Sequence, residues 1–374
     1  MIRHTQNPAF QRPTQAQPSA PEAARARDAV RRDSEYRLTP LLARPHAAAK
    51  LGLGNVMLKD EGARLADQGL SSFKAVGVMA AMAALRADPG AFGDPHTLVC
   101  ASDGNYGRAV AWAAARAGLS ARIYLPSSVS TARFAAIARF SAQTVAVDGT
   151  YDTAVAAAAT AGQAPGILEF SDTGRHPNDS IPRLIETGYG VIVRECLEAW
   201  PSDLPPPSHL FVPVGVGGLA VGLATAFADE LGPAMPDIVT VEPYGADSLR
   251  HSLATQRLRT LAPPDDAAEL MGCLACETPS ATAWQDLTRL TRHALAIDDA
   301  TATAAMAALA DGPDAPALLA GDSGAAAYGG LLAACAEPAL RGCLGLDHTS
   351  RVLVMVSEGA TDPALQNALR AMGR

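Results

Sequence analysis

Short apolar runs alternate with longer alanine-rich stretches along most of this chain, and the two patterns predict different elements. Thr97–Ala101, Ala121–Leu125, Gln143–Val147, Leu210–Val214, Ile238–Val241 and Val352–Val356 are too short for ordinary helices and read as buried strands. Ser72–Ala87, Tyr106–Ala117, Asp152–Ala161, Gly217–Leu231 and Ala300–Leu309 are rich in alanine, the strongest helix former, and read as helices. Glycine and proline punctuate these stretches and point to close packing. Short apolar strands alternating with helices predict an α/β fold whose parallel sheets are covered on both faces. Pro201–Pro207 and Pro263–Asp266 read as loops, and no internal repeat is present.

Composition narrows the classes. A chain of 374 residues exceeds what one core usually serves, so two domains or one large α/β unit is expected. The net charge of −8 argues against a nucleic-acid groove or an anionic membrane surface as the main partner. No apolar run approaches the roughly 20 residues that span a bilayer. Met1 to Asp33 is polar and lacks the apolar stretch of a secretory signal. Six cysteines in a chain this long do not make a disulfide framework, and a reducing cytoplasm is the expected setting.

Candidate chemistry collects at the ends of the predicted strands. Lys74 sits in Ser71-Ser72-Phe73-Lys74, opening a helix. An imine-forming lysine must attack deprotonated, and burial together with the positive end of a helix dipole predicts a lowered pKa there. Taken alone, Lys74 reads as a solvated helix lysine. Lys59 and Lys74 are, however, the only lysines after residue 50 in a chain that otherwise uses arginine, which cannot form an imine.

Ser102-Asp103-Gly104-Asn105-Tyr106 follows one strand and opens a helix, where backbone N–H groups can hold a carboxylate. Asn105 is a donor for a phenolic oxygen and Asp103 a candidate acid or base; the plainer reading is a helix cap by Ser102 or Asp103. Gly215-Val216-Gly217-Gly218-Leu219 follows the next strand. It reads either as a cup for the phosphate of pyridoxal phosphate or as a dinucleotide fingerprint with Glu242 as the spaced acid. Lys74 and Asn105 favour the first. Asp172 is a second candidate acid or base or an ordinary turn aspartate. Ser357 is a strand-end partner for a ring nitrogen or an N-cap. Cys273-Leu274-Ala275-Cys276 has no second pair and no nearby histidine, so no metal is expected.

In their order along the chain, these segments resemble pyridoxal-phosphate enzymes of the tryptophan synthase β family, called fold type II. Within it the chain looks most like diaminopropionate ammonia-lyases. The motifs are Lys59-Asp60-Glu61, Phe73-Lys74, Asp103-Gly104-Asn105, Asp172-Thr173, Val241-Glu242-Pro243, Met271-Gly272-Cys273-Leu274 with Thr278-Pro279-Ser280, and Ser357-Glu358-Gly359. They run from Tyr36-Arg37-Leu38-Thr39-Pro40-Leu41 to Thr361-Asp362.

The resemblance implies two open, twisted, mostly parallel sheets with flanking helices and an active site between domains. Residues 1–85 and 190–374 would form a large cofactor domain, and 86–189 a small domain carrying the Asp103–Asn105 loop. It implies pyridoxal 5'-phosphate on Lys74, with Asn105 on its ring oxygen. Gly215, Val216, Gly217, Gly218 and Leu219 would hold its phosphate, and Ser357 would face its ring nitrogen. Lys74, Asp103 and Asp172 would be catalytic. Ser71, Ser102, Gly104, Tyr106 and Arg175 would meet a small amino-acid substrate, and a homodimer is implied.

Three positions depart from the family pattern. Ser71 stands for asparagine, Tyr106 for histidine, and Gly174-Arg175 for alanine-tryptophan. The departures flank the expected site, and Arg175 is a candidate for a second substrate carboxylate or simply a surface loop residue. The expected reaction is α,β-elimination, most simply of 2,3-diaminopropionate to pyruvate and ammonia. Dehydration or β-replacement of a 3-hydroxy amino acid is the near alternative. A nicotinamide-dependent oxidoreductase and a catalytically silent binding protein are the alternatives of other classes.

Overall fold

The computed structural model describes residues 2–16, 20–102, 104–262, 264, 266–268, 270–360 and 365. Asp103, Pro263 and the Thr361-Asp362 pair therefore lie outside the described residues. Eleven strands are found among those described: β1 (Ile2–Gln6), β2 (Leu41–Ala43), β3 (Asn55–Asp60), β4 (Thr97–Ala101), β5 (Ser120–Pro126), β6 (Gln143–Val147), β7 (Ile167–Glu169), β8 (His209–Pro213), β9 (Asp237–Pro243), β10 (Thr291–Ile297) and β11 (Arg351–Val356).

They form two sheets. The larger has the order β1-β10-β9-β8-β11-β3-β2, and the smaller β6-β5-β4-β7. The smaller sheet is parallel throughout. In the larger, β10, β9, β8, β11 and β3 run parallel, and β1 and β2 close the two edges in antiparallel register. The polar amino-terminal stretch thus supplies an edge strand, Ile2 facing Ile297.

The apolar runs are explained by burial on both faces. Along β11, Leu353 and Met355 enter one core while Val352, Val354 and Val356 enter another, so from Val352 onward no position is left for a polar residue. The helices Asp299–Asp311 and Asp322–Ala336 cover the second face.

A group of helices packed through glycine covers the first. A Cβ on Gly77 of the Lys74–Ala87 helix would meet Ile185 Cγ2 and Tyr189 Cε1, both at 2.6 Å, and one on Gly188 would meet Ala80 Cβ at 2.5 Å. On the Gly218–Leu231 helix, a Cβ at Gly222 would meet the Glu186 carbonyl oxygen at 2.2 Å. The Ser180–Ala199 helix therefore grips the helix that begins with Lys74 and the helix that follows the glycine-rich turn. It holds the two in one frame. Its apolar positions, Ile181, Ile185, Tyr189, Ile192 and Cys196, recur at helical spacing.

Candidate active site

The carboxyl ends of β4, β7, β8 and β11 converge on a cavity of about 220 Å³, as open parallel sheets direct their ligand sites. Lys74, Ser102, Gly104, Asn105, Tyr106, Asp172, Ser357 and the whole Gly215–Leu219 turn line it.

Lys74 Nζ donates to Asp172 Oδ2 at 2.6 Å. Burial works against the charged amine, but the charge and hydrogen bond of Asp172 outweigh it, and the net effect is a Lys74 pKa above its ordinary value. This corrects the expectation of a lowered pKa. Desolvation acts in the expected direction, but the carboxylate that overrides it arrives from another part of the chain. The ammonium also lies 5.0 Å from the Phe73 ring centroid and 5.7 Å from that of Tyr106.

The Asn105 amide is held at both ends. Its Nδ2 donates to Glu358 Oε2, and its Oδ1 accepts from Arg108. A carboxylate accepts and a guanidinium only donates, so the amide has one orientation, with one N–H still to give. Burial, then Asp322, raises the Glu358 carboxyl to about 7, against the pull of Arg108 and Lys74.

Ser102 Oγ accepts from the backbone N–H of Gly107 at 2.8 Å and of Gly104 at 3.3 Å, so it serves the helix start and keeps its own proton to donate. Tyr106 turns its hydroxyl away, to the Phe170 carbonyl at 2.7 Å, and presents only its ring to the cavity. Burial holds that phenol protonated well above its ordinary range.

Gly217 begins the Gly218–Leu231 helix with φ +99°, a conformation that favours glycine, and a Cβ there would lie 2.7 Å from Leu287 Cδ1. The first-turn N–H groups of that helix have no carbonyl of their own helix to meet, and they open at the cavity. Ser280 buttresses the turn. Its N–H donates to the Val216 carbonyl at 2.8 Å, and its hydroxyl accepts from Gly174 N at 2.9 Å, two residues past Asp172. Ser357 lies at the end of β11 and is buried.

An amine, an anion-binding helix start, an oriented amide N–H and a buried hydroxyl in one cavity fit pyridoxal phosphate. They match its aldehyde, phosphate, ring oxygen and ring nitrogen.

Other expected residues are not brought there. Ser71 does not line the cavity; it holds φ +48° while its carbonyl accepts from Gly359 N at 3.0 Å. Asparagine adopts that left-handed conformation more readily than serine, which gives a backbone reason for the family's asparagine. Arg175 also lies outside, with an exposed side chain bonded to both oxygens of Glu169 at 2.8 and 2.5 Å. It forms an ion pair at the rim and does not line the cofactor cavity. Lys59 is buried in a network with Glu195, Glu61 and Arg64. Glu242 is buried and accepts from the N–H groups of Leu249 and Arg250, both at 2.8 Å. A carboxylate so used is not available to a ribose, which removes the dinucleotide reading.

Glu358, Tyr151, Thr173, Cys273 and Cys276 line the cavity without having been singled out for it. Glu358 and Cys273 were legible as members of family motifs but carried no assigned role, and Cys273 and Cys276 together read as an unsupported metal motif.

Two α/β sheets with this site at their strand ends define a pyridoxal-phosphate-dependent enzyme of fold type II. The sequence model of the pyridoxal-phosphate dependent enzymes matches residues 33–358, and the chain belongs to that family. Diaminopropionate ammonia-lyase of Salmonella typhimurium is 31% identical over 364 residues, 91% of this chain and 89% of that protein. The crystal structure of the Escherichia coli diaminopropionate ammonia lyase with an aminoacrylate-PLP azomethine reaction intermediate superposes with a TM-score of 0.89. It is 29% identical, covering 100% of this chain and 98% of that one. The biosynthetic L-threonine dehydratase of Escherichia coli is 30% identical over 235 residues, 61% of this chain and 40% of that protein. Family and fold make the chain a pyridoxal-phosphate-dependent lyase.

Proposed function

We propose that the chain carries out α,β-elimination on a short amino acid, converting 2,3-diaminopropionate and water to pyruvate and two molecules of ammonia. The Lys74–Asp172 hydrogen bond within the cofactor cavity carries this reading. Elimination needs a proton taken from Cα and another given to the leaving group, and an amine and a carboxyl in contact supply both functions at one place. Bound pyridoxal phosphate supplies the electron sink for the charge left on Cα.

In this proposal Lys74 anchors the cofactor, and Gly215, Val216, Gly217, Gly218 and Leu219 hold the phosphate through backbone N–H groups. Asn105 gives its remaining N–H to the ring oxygen, oriented by Glu358 and Arg108. Ser357 meets the ring nitrogen; a neutral partner there suits a short-lived carbanion. Asp103 or Lys74 takes the Cα proton, and Asp172 protonates the departing amine. Ser102 and Gly104 orient the substrate carboxylate from the start of the Asn105–Ala117 helix. A homodimer and the division into domains at residues 1–85 with 190–374 and 86–189 belong to the same reading. Dehydration of a 3-hydroxy amino acid would use the same residues, and the partial likeness to threonine dehydratase favours keeping it as the second reading.

An absorbance scan and a keto-acid screen test the proposal. Protein supplied with the cofactor should show a band near ~410–420 nm that borohydride removes, since the cofactor supplies the chromophore. It should release keto acid from 2,3-diaminopropionate faster than from serine, threonine or 3-hydroxyaspartate. Lys74→Ala should lose the band and the activity; a variant that kept both would show the lysine to be wrongly assigned.

A further inference from the structure

A second cavity of about 420 Å³ opens beside the cofactor cavity, and the two share Tyr151, Thr173, Val216, Ala275 and Cys276 as a common wall. The Tyr151–Ala161 helix continues the lining through Val155 and Ala158, and Leu258 joins it from the loop after the Ser248–Thr255 helix. Four large apolar side chains are exposed among the described residues, and two of them, Tyr151 and Leu258, line this one cavity. Apolar surface gathered in a concave site next to a reaction centre is the mark of a ligand subsite rather than of scattered exposure. Its charges do not ask for an anionic ligand. Arg175 is satisfied by both oxygens of Glu169, and Glu277 adds a further carboxylate to the lining, which repels an anion.

We propose that this cavity receives the β-substituent of the substrate. The substrates it would favour, beyond the 2,3-diaminopropionate of the elimination reading, are alanine derivatives carrying a bulky, uncharged, aromatic or apolar group on Cβ. The inference rests on the elimination reading and extends it to a substrate class. S-benzylcysteine is the probe. Its Cα–H and Cβ–S bonds break, and the sulfur leaves with the Cβ–S electron pair and takes up a proton to become benzyl thiol. The Cα–Cβ double bond forms, and water then releases pyruvate and ammonia. One amino acid and one water give one thiol, one keto acid and one ammonia, with no oxidant or reductant. Tyr151, Val155 and Leu258 would surround the benzyl ring.

The experiment compares the cofactor-loaded wild type with Val155→Trp, which fills the cavity from a helix face, and Leu258→Asp, which charges it from a loop. In the wild type, kcat/KM for S-benzylcysteine should exceed that for 2,3-diaminopropionate by ~10-fold or more, the scale on which an apolar subsite discriminates. Each variant should lower the S-benzylcysteine value by a similar factor, mainly through KM, and leave 2,3-diaminopropionate within about twofold. As a readout independent of turnover, 2-amino-5-phenylpentanoate, which has no leaving group, should inhibit the wild type more tightly than 2-aminobutyrate, and Val155→Trp should erase that difference. Rejection of S-benzylcysteine alongside normal turnover of 2,3-diaminopropionate overturns the subsite and leaves the elimination reading standing. Equal losses on both substrates in the variants do the same. No keto acid from any of these amino acids overturns both.

Discussion

Lys74 and Asp172 are 98 residues apart in the chain and 2.6 Å apart in space. The carboxylate holds the amine protonated, so it governs when the lysine can attack an aldehyde. Asp172→Asn removes the charge that raises the Lys74 pKa and leaves burial, which lowers it. Covalent capture of added cofactor, followed by growth of the visible band, should therefore begin at lower pH in Asp172→Asn than in the wild type. An unchanged pH profile would mean that Asp172 does not set the state of Lys74. Neither residue could be paired from sequence, because a lysine at a helix start shows its dipole environment but not the side chain that will face it. Asn105 is a similar case. Its type and loop were legible, whereas Glu358 and Arg108, which fix its amide, reach it from the end of β11 and from one turn along its own helix.

The Ser180–Ala199 helix decides how the Lys74 helix and the glycine-rich turn are spaced, and it carries a buried carboxyl between them. Burial raises Glu186 to about 8, despite hydrogen bonds from Thr282 and Ser280 that pull the other way. In the unfolded chain the group ionises near its ordinary 4.5. The folded state therefore keeps a proton that the unfolded state gives up, and stability falls as pH rises from about 4.5 to about 8 and levels off above. Glu186→Gln should remove one proton's share of that slope, about 1.4 kcal/mol per pH unit, in denaturation series run across the window. Glu242, also raised to about 8 by burial, should leave a residual slope in the variant. The spacing of Ile181, Ile185, Tyr189, Ile192 and Cys196 announces this helix. Pro182, Gly188 and Gly190 obscure it, since proline and glycine weaken a local helix signal even where one sits in the first turn and the others serve close packing.

Across the whole molecule, a buried ionic network joins the amino-terminal segment, β3, the turn after it and the Ser180–Ala199 helix. Lys59 and Arg64 face Glu61 and Glu195, with Tyr36 and Thr39 adding hydrogen bonds to Glu195. Two cations and two anions balance. Glu195→Gln keeps the shape but leaves the cations in excess, and should cost ~3–5 kcal/mol in urea unfolding. A loss below about 1 kcal/mol would mean that water reaches the network. Lys59-Asp60-Glu61 was legible as a motif, but its place in this network was not. A lysine, an aspartate and a glutamate in a row look the same whether they face a cofactor or a core.

Local pattern was enough for the alternation of buried strands and alanine-rich helices, the glycine-rich turn, and the polar loops at strand ends that can hold a phosphate, a ring and a carboxylate. Those properties rest on a few consecutive residues, through side-chain periodicity and turn conformation. Only the folded chain brings Asp172 to Lys74, Glu358 to Asn105 and Glu242 to a helix start, and turns Arg175 to Glu169 at the second cavity. Each of those depends on sheet order and on how closely helices approach, which are set by contacts between distant parts of the chain and leave no local pattern to read.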